Sequence, residues 1–111
     1  MSKIRDIGRP AVRIHNLHLF QDRYTHGASE LKAIINVELE ELGLRILGCQ
    51  LVQYRRTGDW AIRSPVGHNL RGKRVAELES GGPLELAILE AAMPVYWEKL
   101  KERQAEQQAA A

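Results

Sequence analysis

Residues Leu31 to Leu39 read LKAIINVEL, with Leu31, Ala33, Ile35, Val37 and Leu39 on one parity and Lys32, Ile34, Asn36 and Glu38 on the other. A two-residue period places the first set on one face of a strand and the second on the opposite face. Helix is the rival over residues 29 to 42, because Glu, Leu and Ala favour it. The Ile-Ile-Asn-Val centre argues for a strand, since β-branched side chains fit a pleated surface better than a helix. One buried and one wetted face implies an antiparallel sheet packed on a single side.

The neighbouring segments supply the rest of that sheet. Leu44 to Val66 reads LRILGCQLVQYRRTGDWAIRSPV, two strand-like runs around the turn signal Arg56-Thr57-Gly58-Asp59. The second run, Trp60-Ala61-Ile62, stops at Ser64-Pro65, where proline removes a backbone donor. Gly48 inside the first run predicts a bulge or a close backbone approach. Upstream, Ala11 to Phe20 begins with strand-like alternation and is expected to be the first strand. Gln21 to Glu30 is polar with Gly27 near its end, and reads as a loop or the open end of a hairpin. Glu40-Glu41-Leu42-Gly43 turns the chain into the central hairpin.

Ser80-Gly81-Gly82-Pro83 signals the start of a helix. Leu84, Ala87, Ile88, Ala91 and Val95 form one helical stripe. Leu86, Leu89, Met93, Trp97 and Leu100 form a second beside it. Pro94 predicts a kink. The expected fold is α+β: a small antiparallel sheet of three to four strands covered by a C-terminal helix. Residues 11–100 make the domain, residues 1–10 a loose basic arm and residues 101–111 a charged, Ala/Gln-rich tail that frays.

Composition narrows the function classes. With 111 residues the chain is one domain with a modest core. Sixteen basic against fourteen acidic side chains give a net charge of +2, too small to make the whole chain a polyanion binder. A single cysteine allows no intramolecular disulfide. Neither a membrane-spanning run nor the apolar stretch of a signal peptide is visible, so a soluble, cytoplasmic protein is expected.

The residues that carry chemistry are few. His15 and His18 form an H-x-x-H, but on a strand residues three apart face opposite ways, so surface histidines are expected and no metal. Cys49 lies in an apolar strand and is expected to be a buried, inert thiol. Gly67 to Gly72 is followed by Lys73, yet Arg74 replaces the Ser or Thr of a phosphate-binding loop and no buried strand runs into it. Without an acid–base pair, an activated nucleophile or a metal set, no enzyme and no cofactor is expected.

Charge is instead concentrated locally. Between Arg55 and Arg74 stand six basic residues, Arg55, Arg56, Arg63, Arg71, Lys73 and Arg74, with His68 among them and Asp59 as the sole acid. The plainer reading is a solvated loop with ordinary surface charge. The functional reading is a phosphate-contacting patch, where Tyr54 or Trp60 stacks on bases or else packs across the hairpin. The second helical stripe, with Leu89, Met93 and Trp97, either packs on the first strand or forms the interface of a homodimer.

The succession AVRIHNL, LKAIINVEL, LRILGCQLV and GDWAIRSP, followed by a helix, resembles the SpoVG (septation protein) family over roughly residues 11 to 98. The chain departs from that family in the segment SPVGHNLRGKRVAELESGG, which replaces a proline-containing basic loop, and in its longer, more apolar helix. The resemblance implies a small α+β fold, a homodimer built through its sheet, and DNA or RNA binding in regulation. It maps Arg63 onto a matched strand end, and places His68, Arg71, Lys73 and Arg74 only in the corresponding loop. The alternative is a non-catalytic protein-interaction module that uses the sheet edge or the C-terminal helix.

Overall fold

The computed structural model describes residues 10–64 and 78–110, with backbone alone at 21–26 and 110. Among them are four strands and one α-helix: β1 (Arg13–His26), β2 (Ser29–Leu39), β3 (Leu44–Tyr54), β4 (Trp60–Arg63) and α1 (Pro83–Ala110). The strands form one antiparallel sheet in the order β1-β2-β3-β4. The helix crosses one face of it, mainly over β1 and β4. The fold is therefore α+β. The helix has 28 residues, and no described helix is long and apolar enough to cross a membrane.

Alternation along β2 does what the sequence period requires. Ala33, Ile35, Val37 and Leu39 are buried, whereas Lys32, Ile34, Asn36 and Glu38 are partly exposed. Leu17, Cys49, Leu51 and Ile62 join them from the other strands, and Ile88, Ala92 and Tyr96 close the core from the helix. Fully buried Ile35, Leu51 and Ile88 each contribute roughly 1.5–3 kcal/mol by leaving water.

Two compensating bulges adjust β2 against β3. Ser29 lies opposite Tyr54 and Leu39 opposite Leu44 in one register, while Ala33, Ile34 and Ile35 pair with Leu51, Gln50 and Cys49 one residue out of step. Gly48 supplies the first offset: its φ of 85° lies where a Cβ is costly, and its N–H donates to Asn36 Oδ1 at 3.0 Å. The second offset falls at Lys32. Without the pair of shifts, one end of β3 would turn its apolar set to the wrong face.

Two boundaries differ from those read in the sequence. β1 continues through Gln21–His26, which the polar composition marked as loop, because Tyr24, Thr25 and His26 pair with Leu31, Glu30 and Ser29 through backbone groups. Ladder bonds need no apolar side chain. The helix runs to Ala110 instead of fraying after Leu100, since Lys, Glu, Arg, Gln and Ala are all strong helix formers and no glycine interrupts them. Its buried line is Glu85, Ile88, Ala92 and Tyr96, with Leu84, Leu89, Met93, Val95 and Leu100 flanking on both sides, so the two predicted stripes merge into one arc. Pro94 lies inside the helix on its exposed side.

Candidate nucleic-acid interface

The β3–β4 hairpin is held by its own backbone. The Tyr54 N–H donates to the Asp59 carbonyl and the Gly58 N–H to the Tyr54 carbonyl, both at 2.8 Å. Gly58 at φ 79° allows the chain to reverse there. Gln53 Nε2 donates to the Gly58 carbonyl at 3.1 Å, and the Asp59 N–H to Thr57 Oγ1 at 3.2 Å. The neighbouring β1–β2 turn is tied to the same corner. The Arg55 N–H donates to the Ala28 carbonyl at 3.0 Å, and Arg55 Nη2 to the Gly27 carbonyl at 3.1 Å. The arginine-bearing turn is thereby anchored at two points while Arg55 and Arg56 remain exposed.

β4 is anchored from the helix. The Ile62 N–H donates to Glu85 Oε2 at 2.9 Å, and the Gly81 N–H to Glu85 Oε1 at 2.6 Å. One buried carboxylate thus satisfies the outer edge of β4 and the start of α1 together. The Leu78 N–H donates to Ser64 Oγ, closing the same junction. Glu85 went unnoticed in the sequence. Its signal was an acid in the first helical turn, two residues past the proline of Gly-Gly-Pro.

The two candidate aromatics lie on opposite faces of the sheet. Trp60 pairs with Gln53 on the helix side, and its ring centroid is 5.2 Å from that of Tyr96 and 5.7 Å from that of Trp97. Tyr96 and Trp97 are 5.1 Å apart, edge to face. Trp60 is therefore part of the helix–sheet packing. Tyr54 is one residue further along β3 and turns the other way, where Arg63 holds its guanidinium 5.8 Å from the ring centroid. Of the residues assigned to a dimer interface, Leu89 and Met93 are partly buried against the core of their own chain, and Trp97 remains 48% exposed.

Among the described residues, none of Arg55, Arg56 and Arg63 pairs with a carboxylate. Three basic residues on β1 to β3, Arg13, Lys32 and Arg45, do. Arg13 bridges Glu38 and Glu40, Arg45 reaches Glu38 at 3.4 Å, and Lys32 reaches Glu30 at 2.7 Å. The Arg13 hydrogen bond holds the Glu38 carboxyl below its ordinary range. His68, Arg71, Lys73 and Arg74 lie outside the described residues.

The remaining candidates fall elsewhere. His18 Nε2 is 2.9 Å from Asn16 Nδ2, and His15 is an exposed residue at a β1 register shift. Among the described residues no three His, Cys, Asp or Glu side chains come together as a metal site. Cys49 is fully buried, and burial pushes its thiol up to about 11, so it stays protonated and unreactive at neutral pH. Compared with models of protein families, with curated proteins and with solved structures, the chain matches none.

Proposed function

We propose that this chain is a non-catalytic nucleic-acid-binding regulator of the cytoplasm, as the SpoVG resemblance implies, which holds phosphates on its β3–β4 hairpin. The observation that carries the reading is the contrast in pairing: Arg55, Arg56 and Arg63 have no carboxylate partner among the described residues, whereas Arg13, Arg45 and Lys32 do. Guanidinium groups without an acid partner are the ones free to take phosphate oxygens and release counterions. Arg71, Lys73 and Arg74, with His68, follow in sequence and are proposed to extend the patch. The test is binding to random single- and double-stranded DNA and RNA at two salt concentrations. Affinity should fall steeply with salt. Replacing Arg71, Lys73 and Arg74 by alanine should flatten the salt slope by roughly one unit or less for each lost contact. Absence of binding at low salt would remove the reading.

One observation favours a self-association surface as well. β4 pairs only with Gln50 to Gln53, so among the described residues β3 has an open edge from Leu44 to Gly48. Leu42, Leu44 and Leu47 are 72%, 48% and 60% exposed beside it. Open strand edges with apolar neighbours recruit another strand, and a homodimer through this edge is proposed as the second element. Sedimentation at micromolar concentration should give a dimer, and Leu47→Glu a folded monomer. A monomeric parent would refute the dimer.

A further inference from the structure

The hairpin site carries more than positive charge. Tyr54 has the Arg63 guanidinium over its ring, and it lies on the sheet face opposite the helix. At 5.8 Å from the ring centroid, Arg63 is at the outer limit of a cation–π contact, so the pair is loosely joined. Arg55 and Arg56 stand exposed where β3 leaves Tyr54. Trp60, the other aromatic of the hairpin, is occupied by Tyr96 and Trp97.

Resting on the nucleic-acid reading above, we infer that the preferred ligand of this site is a single strand. One unpaired base stacks against the Tyr54–Arg63 pair, and its flanking phosphates lie on Arg55 and Arg56. The physical reason is access. In a duplex the π-faces of the bases are stacked on one another, and only groove edges and phosphates are offered. A tyrosine lying within a strand of a broad sheet does not project far enough to unstack them. A single strand presents free base faces and the same phosphates, so the planar pair adds a contact that a duplex does not supply.

The experiment compares labelled oligo-dT and oligo-U of about twelve nucleotides with a blunt duplex of the same length, at low salt, by fluorescence anisotropy. The single strands should bind more tightly than the duplex. Tyr54→Leu should weaken single-strand binding roughly five- to a hundredfold, the usual range for a lost stack, and leave duplex binding nearly unchanged. Tyr54→Phe should keep the parent affinity. Equal affinity for duplex and single strand, or a Tyr54→Leu variant that weakens both in the same proportion or neither, would overturn the inference while leaving the nucleic-acid reading intact. Should Tyr54→Leu not fold, photo-crosslinking of the parent to a 5-iodouracil oligonucleotide decides: an adduct at Tyr54 is expected, and adducts confined to other residues overturn it. A parent that binds neither form removes the broader reading and this one with it.

Discussion

Two corners of the same sheet carry arginines and treat them differently. At the β2–β3 end, Arg13 and Arg45 converge on Glu38, with Glu40 also on Arg13. At the β3–β4 hairpin, Arg55 donates to a backbone carbonyl, Arg56 is exposed, and Arg63 lies over a tyrosine ring. The first arrangement neutralises its charge internally by cross-strand pairing: Arg13, Glu38 and Arg45 are register partners on three successive strands. In the second, the described partners are neutral. Residue counts cannot distinguish the two, so a near-neutral composition is compatible with one corner that is strongly positive.

The largest expected effect comes from removing what holds the hairpin in place. Glu85→Ala leaves the buried Ile62 N–H and the part-buried Gly81 N–H without their acceptor and should cost about 1–3 kcal/mol in urea unfolding. It should also weaken nucleic-acid binding by loosening β4, which carries Arg63. A variant as stable as the parent would show that Glu85 does not anchor the edge.

Next is a direct exchange of the two corners. Arg55, Arg56 and Arg63 replaced together by alanine should lose roughly tenfold or more in affinity at low salt. The salt slope should flatten by roughly 1.4 units, as expected for the two phosphate contacts of Arg55 and Arg56 on a single strand. Arg13 and Arg45 replaced together should change neither, because their charges are already engaged. Equal losses in both variants would erase the distinction.

The smallest effect is a pH dependence confined to the paired corner. The Arg13 hydrogen bond lowers the Glu38 carboxyl below its ordinary value, so the folded state binds this proton less readily than the unfolded chain. The resulting stabilisation is fully present above the ordinary carboxylate range and is lost as pH falls through the lowered folded value. Glu38→Gln should therefore be slightly less stable than the parent at neutral pH, and the gap should close only in acid below that range. Denaturant midpoints across pH measure it, and a gap independent of pH would refute it. The same variant frees Arg45, while Arg13 keeps Glu40, and a small gain in binding at low salt is expected.

The legible parts of the chain were those governed by local period and turn chemistry. Leu31 to Leu39 is a strand with one buried face, Glu40 to Gly43 is a turn, Gly48 sits at a bulge, and the helix begins at Pro83. The strand character of Gln21–His26 was not legible, because its stability comes from backbone pairing with a partner on β2. Trp60 and Tyr54 looked equivalent as stacking residues. Only the register of β4 on β3 shows that they face opposite ways.

By itself, then, the amino-acid order determined the elements and most of their inner faces, because side-chain periodicity and the glycine and proline positions act within a few residues. It also determined that basic residues gather after Tyr54. Tertiary structure alone decided which arginines are spent on glutamates, which tryptophan closes the core, and that Glu85 joins the helix to the sheet edge. Each of those depends on groups brought together from distant positions, Ile62 with Glu85, Trp60 with Tyr96 and Arg13 with Glu38. Their pairing is set by strand order, register and helix placement, which no local pattern encodes.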